Sequence, residues 1–422
     1  MDFTPTPEQE AVRDLAARIF GDLSTPERLA RLDGGTDGEL WKALGGAGLI
    51  GAVEETGLLG LVLMLEEQGR TTAQVPFAAS CVFGLLAVAA HGDAEQRERL
   101  LPGLRDGSAV AAGAFPARGG IAVAHGEHGG DGDAGGDAGG DGGVGDGGGD
   151  GGDGEGSGGG RARLTGVVPW VPWLRDATHV LVAVREPGAG PVVVRERVGE
   201  PGAVGEPVGG DAVREPGAGA RKVAHSLWMA RADDIRCEPV ELTAPWSAGR
   251  LVLDGTPAER IGGPRAYTEV LAAARTAFAG LQAGVGAGSL ARAVAYTNER
   301  EQFGRPLAVK QGVQLRAAEA HMDVEAIRVT AYEAAWRRDE GLAYESHALT
   351  AAWWAAEAGK RVVHTGQHLH GGMGADLDHP VHRHFLWGRQ LDGYLGCGPE
   401  LLQELGELVA AREDVPVGGE VA

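Results

Sequence analysis

The sequence predicts an α+β protein with three parts: an all-helical N-terminal domain, a middle β domain forming a barrel or sandwich, and a C-terminal four-helix bundle. Two observations lead to this fold class. Apolar residues recur at helical spacing through the first hundred residues and again after Pro264. Between these regions lie short β-rich runs bounded by Gly, Pro and Asp. We place the domains at residues 1–106, 107–259 and 260–422 of the 422-residue chain.

The first helix carries its own start signals in TPEQEAVRDLAARIF. Thr6 can cap the helix, Pro7 suits its first turn, and Gln9 completes a capping box. The apolar residues that follow at helical spacing are Val12, Leu15, Ile19 and Phe20. Further helical patterns extend to about Leu104, which defines the N-terminal domain.

The middle domain is predicted from four β-rich strings: RLTGVVPWVPW, ATHVLVAVRE, HSLWMARADDIRCEPVEL and GRLVLDG. Two low-complexity tracts, at about 125–160 and 186–221, interrupt it as flexible loops. Residues 129–160 consist almost entirely of Gly and Asp, so a calcium-binding repeat is the alternative. Such a repeat needs an inward-facing aliphatic residue in each coil, but Val144 is the only one larger than alanine. The tract is therefore predicted to be a solvated loop that interrupts the fold.

The C-terminal part contains four segments of helical length, at 264–299, 310–340, 343–370 and 383–411. In the first of them, apolar residues recur at spacings of four, three and four: Ala274, Phe278, Leu281 and Val285. Four such helices joined by short breaks predict a bundle.

The charge of the chain excludes some classes of partner. Its 38 Lys and Arg residues against 59 Asp and Glu residues give a formal net charge of −21, and eight of the carboxylates lie in residues 129–160. An acidic chain repels phosphate backbones and anionic lipid, so we expect neither nucleic acid nor a membrane as partner. No secretory signal or membrane-spanning run is found, and we expect a cytoplasmic protein.

Several strings together resemble the acyl-CoA dehydrogenase family of flavoproteins. They are PEQEAVRD, LEEQGR, LTGVVPWVP, REQFGRPLAVKQGVQ and HLHGGMGADLDHPVHRHF. The likeness covers nearly the whole chain apart from the two low-complexity loops. It implies FAD as cofactor, an acyl-CoA as substrate, and α,β-dehydrogenation of the thioester as the reaction. In the family the C-terminal strings reach a cofactor lodged mainly on a neighbouring subunit, so the resemblance also implies an oligomer.

The resemblance implies seven cofactor-binding residues: Trp170, Arg300, Phe303, Gln311, His368, Gly371 and Gly372. Their chemistry fits this role. The guanidinium of Arg300 offers a fixed fork of donors to pyrophosphate oxygens, and Gln311 can pair with polar edges of the cofactor. Phe303 offers an apolar wall, and the two glycines allow the backbone to approach closely.

The chain departs from the family at the residues of its own active site. Dehydrogenation needs a carboxylate base for the α-proton, and the two family positions for it fall on Leu395, in DGYLGCG, and Ala274. We therefore expect no catalytic base at either position. Two residues after Trp170, where the family has a hydroxyl that contacts the flavin, stands Pro172. The loop GAFPARGG, which replaces another flavin-facing segment, leads into the Gly/Asp tract.

Four interpretations remain. The pattern fits a non-catalytic subunit of a heteromeric acyl-CoA dehydrogenase, paired with a base-bearing paralogue. A self-sufficient dehydrogenase could instead use a relocated acid, for which Glu269, Asp392 and Glu400 are the candidates, although surface acids are the simpler interpretation. A flavin-dependent monooxygenase on the same fold would need no base there, and an acyl-CoA-binding or regulatory protein would need no chemistry at all.

A metal site is conceivable at His364 and His368, which are four residues apart on a helical pattern. Both side chains could face one ion, as in helical zinc sites. No third ligand is evident in the sequence, and the family resemblance accounts for the segment without a metal. We expect no metal.

Overall fold

The computed structural model describes residues 3–32, 34–115, 124–126, 160–186 and 224–413. The predicted loops at 125–160 and 186–221 lie almost wholly outside these residues. The fold class is confirmed: helices, then one sheet, then helices again. Among the described residues, no helix combines the length and the apolar character needed to cross a membrane.

The N-terminal part consists of helices only. They are α1 (Pro7–Leu23), α2 (Pro26–Leu29), α3 (Gly38–Gly46), α4 (Val53–Thr71), α5 (Phe77–Ala79), a π-helical stretch (Ser80–Leu86), α6 (Ala87–His91) and α7 (Ala94–Asp106). The predicted capping box is present, since Gln9 N donates to Thr6 Oγ1 at 3.3 Å and Thr6 N donates to Gln9 Oε1 at 3.0 Å. The sequence alone therefore sets the start of α1.

The middle part is a single seven-stranded sheet. Its strands are β1 (Ala111–Ala114), β2 (Ala124–Gly126), β3 (Arg161–Val171), β4 (His179–Arg185), β5 (His225–Arg231), β6 (Arg236–Pro239) and β7 (Gly249–Ile261). The order is β1-β4-β5-β7-β3-β2, with β6 also pairing with β7. Only the β1–β4 pair is parallel among these described strands. The sequence pattern missed β1, because AAGA contains no β-branched or aromatic residue.

The C-terminal part begins with the 34-residue helix α8 (Ala266–Glu299). It continues through a hairpin of β8 (Glu301–Gln302) and β9 (Arg305–Pro306), then α9 (Gln311–Asp339), α10 (Glu345–His370), a 3₁₀ turn (Gly371–Ala375), α11 (Pro380–Leu391) and α12 (Gly398–Glu413). The predicted segment 383–411 is thus two helices rather than one. The chain breaks between them because Leu395 and Gly396 have φ angles of +63° and +121°, which no helix accommodates.

Helix α4 holds the N-terminal helices against the bundle. It crosses α8 so closely at Gly69 and Gly284 that an added Cβ on either residue would collide with the opposing backbone. Two carboxylates reinforce the contact with α9. The side chain of Glu66, on α4, is 4% exposed and pairs with Arg328 at 3.0 Å. Asp339, at the end of α9, accepts bonds from two backbone N–H groups of α4. These contacts fix the position of α8, on which both parts of the site depend.

Candidate functional site

The hairpin after α8 presents a strained aromatic residue to solvent. Its two-residue turn, Phe303–Gly304, has φ angles of +58° and +76°. Such turns favour Asn or Gly, because a side chain in the left-handed region is disfavoured. Phe303 occupies it nevertheless, with its ring 92% exposed and Lys310 Nζ 5.2 Å from the ring centroid. Strain combined with apolar exposure makes Phe303 a candidate for contact with another molecule.

The 3₁₀ turn Gly371–Ala375, called the glycine turn below, lies beside the start of this hairpin. The ring of His370, immediately before the turn, stacks on Tyr296 with centroids 4.9 Å apart, and Tyr296 precedes Arg300 by one helical turn. Leu307 N donates to Arg300 O at 2.9 Å, which brings the start of α9 back to the same end of α8. Six of the seven sequence-predicted cofactor residues are thereby gathered at this end of the bundle. All six are exposed: Arg300, Phe303, Gln311, His368, Gly371 and Gly372.

This exposed group has the chemistry of a surface for a flavin dinucleotide. Arg300 supplies a fork of donors for phosphate oxygens, and Phe303 supplies an apolar ring. An added Cβ on Gly371 or Gly372 would meet no atom within 4 Å, so the space above the turn is open to an approaching group. This chemistry fits the cofactor-binding role that the sequence predicts for these residues, and that role stays a prediction.

Trp170, the seventh predicted residue, lies apart from this group, half-buried against the main hydrophobic core. Its ring is 5.9 Å, centroid to centroid, from that of Tyr394, the neighbour of Leu395. Leu395 is 9% exposed and Ala274 is fully buried. The backbone O of Leu395 accepts a bond from Arg275 Nε at 3.2 Å, and Glu404 holds the same guanidinium at 2.8 and 2.9 Å. The loop at the expected base position is therefore tightly fixed.

A series of aromatic rings fills the interior beside this loop. Successive centroid distances are 4.8 Å for Tyr394–Phe278, 6.3 Å for Phe278–Phe83, 4.9 Å for Phe83–Phe115, 5.8 Å for Phe115–Tyr267 and 4.3 Å for Tyr267–His225. Burial in this cluster raises the pKa of Tyr394 above its ordinary value. Sequence reasoning missed the series because its members come from helices, strands and the loop before α12.

The rings of Trp170 and Tyr394 pack against each other. Their centroids are 5.9 Å apart and their planes are tilted by 47°. A planar ring stacked between two others needs about 7 Å between them, since optimal carbon contacts are 3.5–4.0 Å on each side. No third ring therefore lies between Trp170 and Tyr394.

Each of the three acids considered as a relocated base has a local partner, and Glu269 also lines a cavity of about 920 Å³ together with Val270 and Ala273. Glu269 pairs with Arg265 at 3.3 Å and lies 3.6 Å from His91, about 140° around α8 from Ala274. Asp392 pairs with Arg389 at 2.6 Å. Glu400 accepts a bond from the backbone N–H of Cys397 at 3.0 Å. These are local structural contacts.

The histidines near the glycine turn mainly pack against neighbouring side chains and contact backbone carbonyl oxygens. His384 is buried and lies 2.9 Å from Arg70 O through Nε2, and burial lowers its pKa to about 4. His370 Nδ1 lies 2.7 Å from Gly366 O. Within the described part of the chain, no three His, Cys, Asp or Glu side chains form a group that could hold a metal ion.

Two stretches of the chain match known protein families. Residues 6–108 match the family model "Acyl-CoA dehydrogenase, N-terminal domain" and residues 262–398 match "Acyl-CoA dehydrogenase, C-terminal domain". The chain is 31% identical to acyl-CoA dehydrogenase FadE27 of Mycobacterium tuberculosis, over 97% of this chain and 99% of the relative.

Two solved structures share this fold and part of the sequence. A variant of the Tcur3481-Tcur3483 steroid ACAD is 34% identical, with a TM-score of 0.78 over 96% of this chain and 99% of the other. The ChsE4-ChsE5 complex from Mycobacterium tuberculosis is 27% identical, with a TM-score of 0.76 over 97% and 99%. The chain therefore belongs to the acyl-CoA dehydrogenase family of FAD-dependent oxidoreductases.

Proposed function

We propose that this chain is the non-catalytic subunit of a heteromeric acyl-CoA dehydrogenase and completes the FAD site of a base-bearing partner. One contrast carries the proposal. The residues that can reach a neighbouring chain's cofactor are present and exposed, whereas the two positions expected for the catalytic base carry Leu395 and Ala274, neither of which can accept a proton.

The chemistry of the reaction supports the same assignment. FAD, when bound, accepts the hydride that leaves the β-carbon of the thioester. The α-proton must go to a positioned carboxylate, and such a general base contributes about 10²–10⁴-fold to the rate. Leu395 and Ala274 cannot accept a proton, and Glu269, Asp392 and Glu400 have local partners. In the proposed assembly the base comes from another chain.

The role proposed for this chain is to bind the FAD of the partner subunit. Arg300 would donate charge-assisted hydrogen bonds to the pyrophosphate of the partner's FAD, with Phe303 against its apolar part. Gln311 and His368 would contact polar edges of the dinucleotide, and the backbone at Gly371 and Gly372 would lie close to it.

The relatives are consistent with an assembly of two kinds of chain. Both solved relatives named above carry two chain names, Tcur3481-Tcur3483 and ChsE4-ChsE5. The name of the first contains the words steroid ACAD. This supports a steroid-bearing acyl-CoA thioester as the substrate of the assembly proposed here. The expected complex contains fewer than one FAD per chain.

Co-expression tests the proposal. The chain is expressed alone and with each acyl-CoA dehydrogenase of the same genome that has a glutamate at the position of Leu395 or Ala274. We expect bound FAD and its reduction by acyl-CoA only in a co-purified pair. In that pair, Arg300→Ala should weaken FAD affinity about tenfold or more, because a hydrogen bond to a charged group is worth about 1.5–3 kcal/mol.

Arg305→Ala, in the same hairpin, is the matched control and should retain the flavin. Turnover of acyl-CoA by the isolated chain would refute the proposal in favour of a relocated base. Oxygen consumption with NADPH and a reductase would refute it in favour of a monooxygenase.

A further inference from the structure

A cavity of about 920 Å³ lies where the N-terminal helices meet the C-terminal bundle. Its walls come from the start of α4, the π-helical stretch with α6, the first turns of α8, and the turn between α9 and α10. Ligand cavities typically measure about 300–1,000 Å³ and occur preferentially where domains meet. The cavity therefore has the size and the position of a small-molecule site.

This cavity is remote from the proposed cofactor surface. Glu269 lines the cavity near the start of α8, and Arg300 follows the last residue of the same helix. The two residues are 31 positions apart, which at 1.5 Å per residue is about 46 Å along the helix axis. A molecule in the cavity is therefore separate from an FAD bound at the hairpin.

The buried part of the cavity is apolar. Six of the side chains that line it are at most 7% exposed: Val53, Val82, Leu86, Ala87, Val270 and Ala273. Leu342, in the turn between α9 and α10, also lines the cavity and is 43% exposed. Covering Leu342 with an apolar group is favourable, because apolar surface is then removed from water. A ligand that suits this wall has an apolar body.

The rim of the cavity is acidic. Five carboxylates line the cavity against two guanidinium groups: Glu54, Glu55, Glu269, Asp339 and Glu345 against Arg265 and Arg338. Glu54 pairs with Arg105. Glu269 pairs with Arg265 at 3.3 Å, and Asp339 accepts hydrogen bonds from two backbone N–H groups of α4. Three of the five carboxylates therefore have partners within the chain.

The other two carboxylates are available to a ligand. Among the residues that the structure describes, Glu55 and Glu345 have no ion-pair partner. Glu55 is exposed near the start of α4, and Glu345 is the first residue of α10. His91, which also lines the cavity, does not offset them, because burial lowers the pKa of its imidazole and keeps the ring uncharged at neutral pH. The rim therefore attracts cations and repels anions.

We propose that this cavity is a binding site for a small apolar molecule with a cationic amino group. The apolar body would lie against the buried wall and Leu342, and the ammonium group would lie near Glu55 and Glu345. Such a molecule would contact α4, α8 and α10 together and so hold the N-terminal helices to the bundle. An acyl-CoA is excluded from this site, since the acidic rim repels its phosphate groups. Binding here is independent of the proposed subunit role.

Three probes with the same tail and different head groups test the site: octylamine, octan-1-ol and octanoate. Each is titrated into the full-length wild-type chain at neutral pH and low salt, and calorimetry gives its affinity. We expect octylamine to bind about fivefold more tightly than octan-1-ol, which is the upper value for an exposed ion pair, and octanoate to bind most weakly. Hexylamine should bind about fourfold more weakly for each methylene group that it lacks relative to octylamine.

Variants of charge and of volume locate the binding. Glu55→Gln combined with Glu345→Gln should lower the affinity for octylamine to that for octan-1-ol. Glu299→Gln is the matched control and should change nothing, because Glu299 is an exposed carboxylate at the far end of α8. Ala273→Leu fills the cavity and should weaken octylamine binding about tenfold. If Ala273→Leu lowers the thermal unfolding midpoint, Ala90→Phe, at an exposed position of the rim, replaces it.

Three results would overturn the site. They are an absence of octylamine binding, equal affinities for octylamine and octan-1-ol, and octylamine binding that a folded cavity-filling variant leaves unchanged. An octylamine affinity that survives the removal of both unpaired carboxylates would contradict the cationic ligand in the same way.

Discussion

Replacing Leu395 by glutamate tests whether a missing base is all that separates this chain from an active dehydrogenase. If the base were the only group missing, Leu395→Glu should raise the rate of FAD reduction by acyl-CoA about 10²–10⁴-fold. We expect a gain of less than tenfold. The reason is that the base is not the only expected loss: Pro172, two residues after Trp170, has no hydroxyl to offer a flavin.

The environment of the new carboxylate lowers the gain further. Leu395 is 9% exposed within the aromatic core, and the guanidinium of Arg275 is already occupied by Leu395 O and Glu404. Burial without a charged partner raises the pKa of a carboxyl group, and the protonated form cannot act as a base. The same burial should cost about 1–3 kcal/mol of stability.

The assay supplies the isolated chain with FAD and measures, without oxygen, the reduction of the FAD by acyl-CoA thioesters. Short-chain, medium-chain and steroid thioesters are each tested. Leu395→Gln is the control, since glutamine has nearly the shape of glutamate but cannot act as a base. Thermal unfolding establishes that all variants are folded. A gain of a hundredfold or more over Leu395→Gln, with about one FAD bound per chain, would contradict the proposed subunit role.

Three further predictions concern stability. Asp339→Ala should lower the free energy of unfolding by about 2–3 kcal/mol, because the carboxylate accepts bonds of 2.9 Å from both Leu58 N and Leu59 N; denaturant unfolding, with Asp339→Asn as the milder control, checks this. His384 has a pKa of about 4 in the folded chain and 6.5 in the unfolded chain. Between these pH values only the unfolded chain takes up the proton. The free energy of unfolding should therefore fall by about 3 kcal/mol as the pH drops to 4. His384→Gln should remove that part of the pH slope in unfolding measurements, and an unchanged slope would contradict the assignment. Replacing residues 129–160 by a short Gly/Ser linker should leave the unfolding midpoint within a few degrees, whereas stabilisation of the native chain by calcium would contradict the prediction from sequence.

The elements that the sequence predicted best are those with local causes. The start of α1 follows from Thr6 and Gln9, whose bonds span three residues. Helices α8, α9 and α10 follow from helical spacing over 26 to 34 residues. The break before α12 was missed although Gly393, Gly396 and Pro399 mark a helix boundary in the sequence.

The residues of the site likewise divide into those with local causes and those that meet only through packing. The outer residues could be identified because they lie in two continuous strings, REQFGRPLAVKQGVQ and HLHGGMGADLDHP, which fold locally at the end of the bundle. The contact of Trp170 with Tyr394 could not, because these residues are more than two hundred positions apart in the chain and meet only through packing. Tyr394 adjoins the expected base position, which was the one available signal.

The geometry of α8 separates the expected base position from the hairpin. Ala274 and Arg275 lie near its start and Arg300 at its end, 26 residues from Ala274. At 1.5 Å per residue this separation is about 39 Å along the axis. Substitutions near Ala274 therefore need not disturb the hairpin of Phe303, which is held by the backbone bonds of Arg300 with Tyr296 and Leu307. The proposed subunit role requires this independence, because the hairpin must serve a neighbour's cofactor in a chain without its own base.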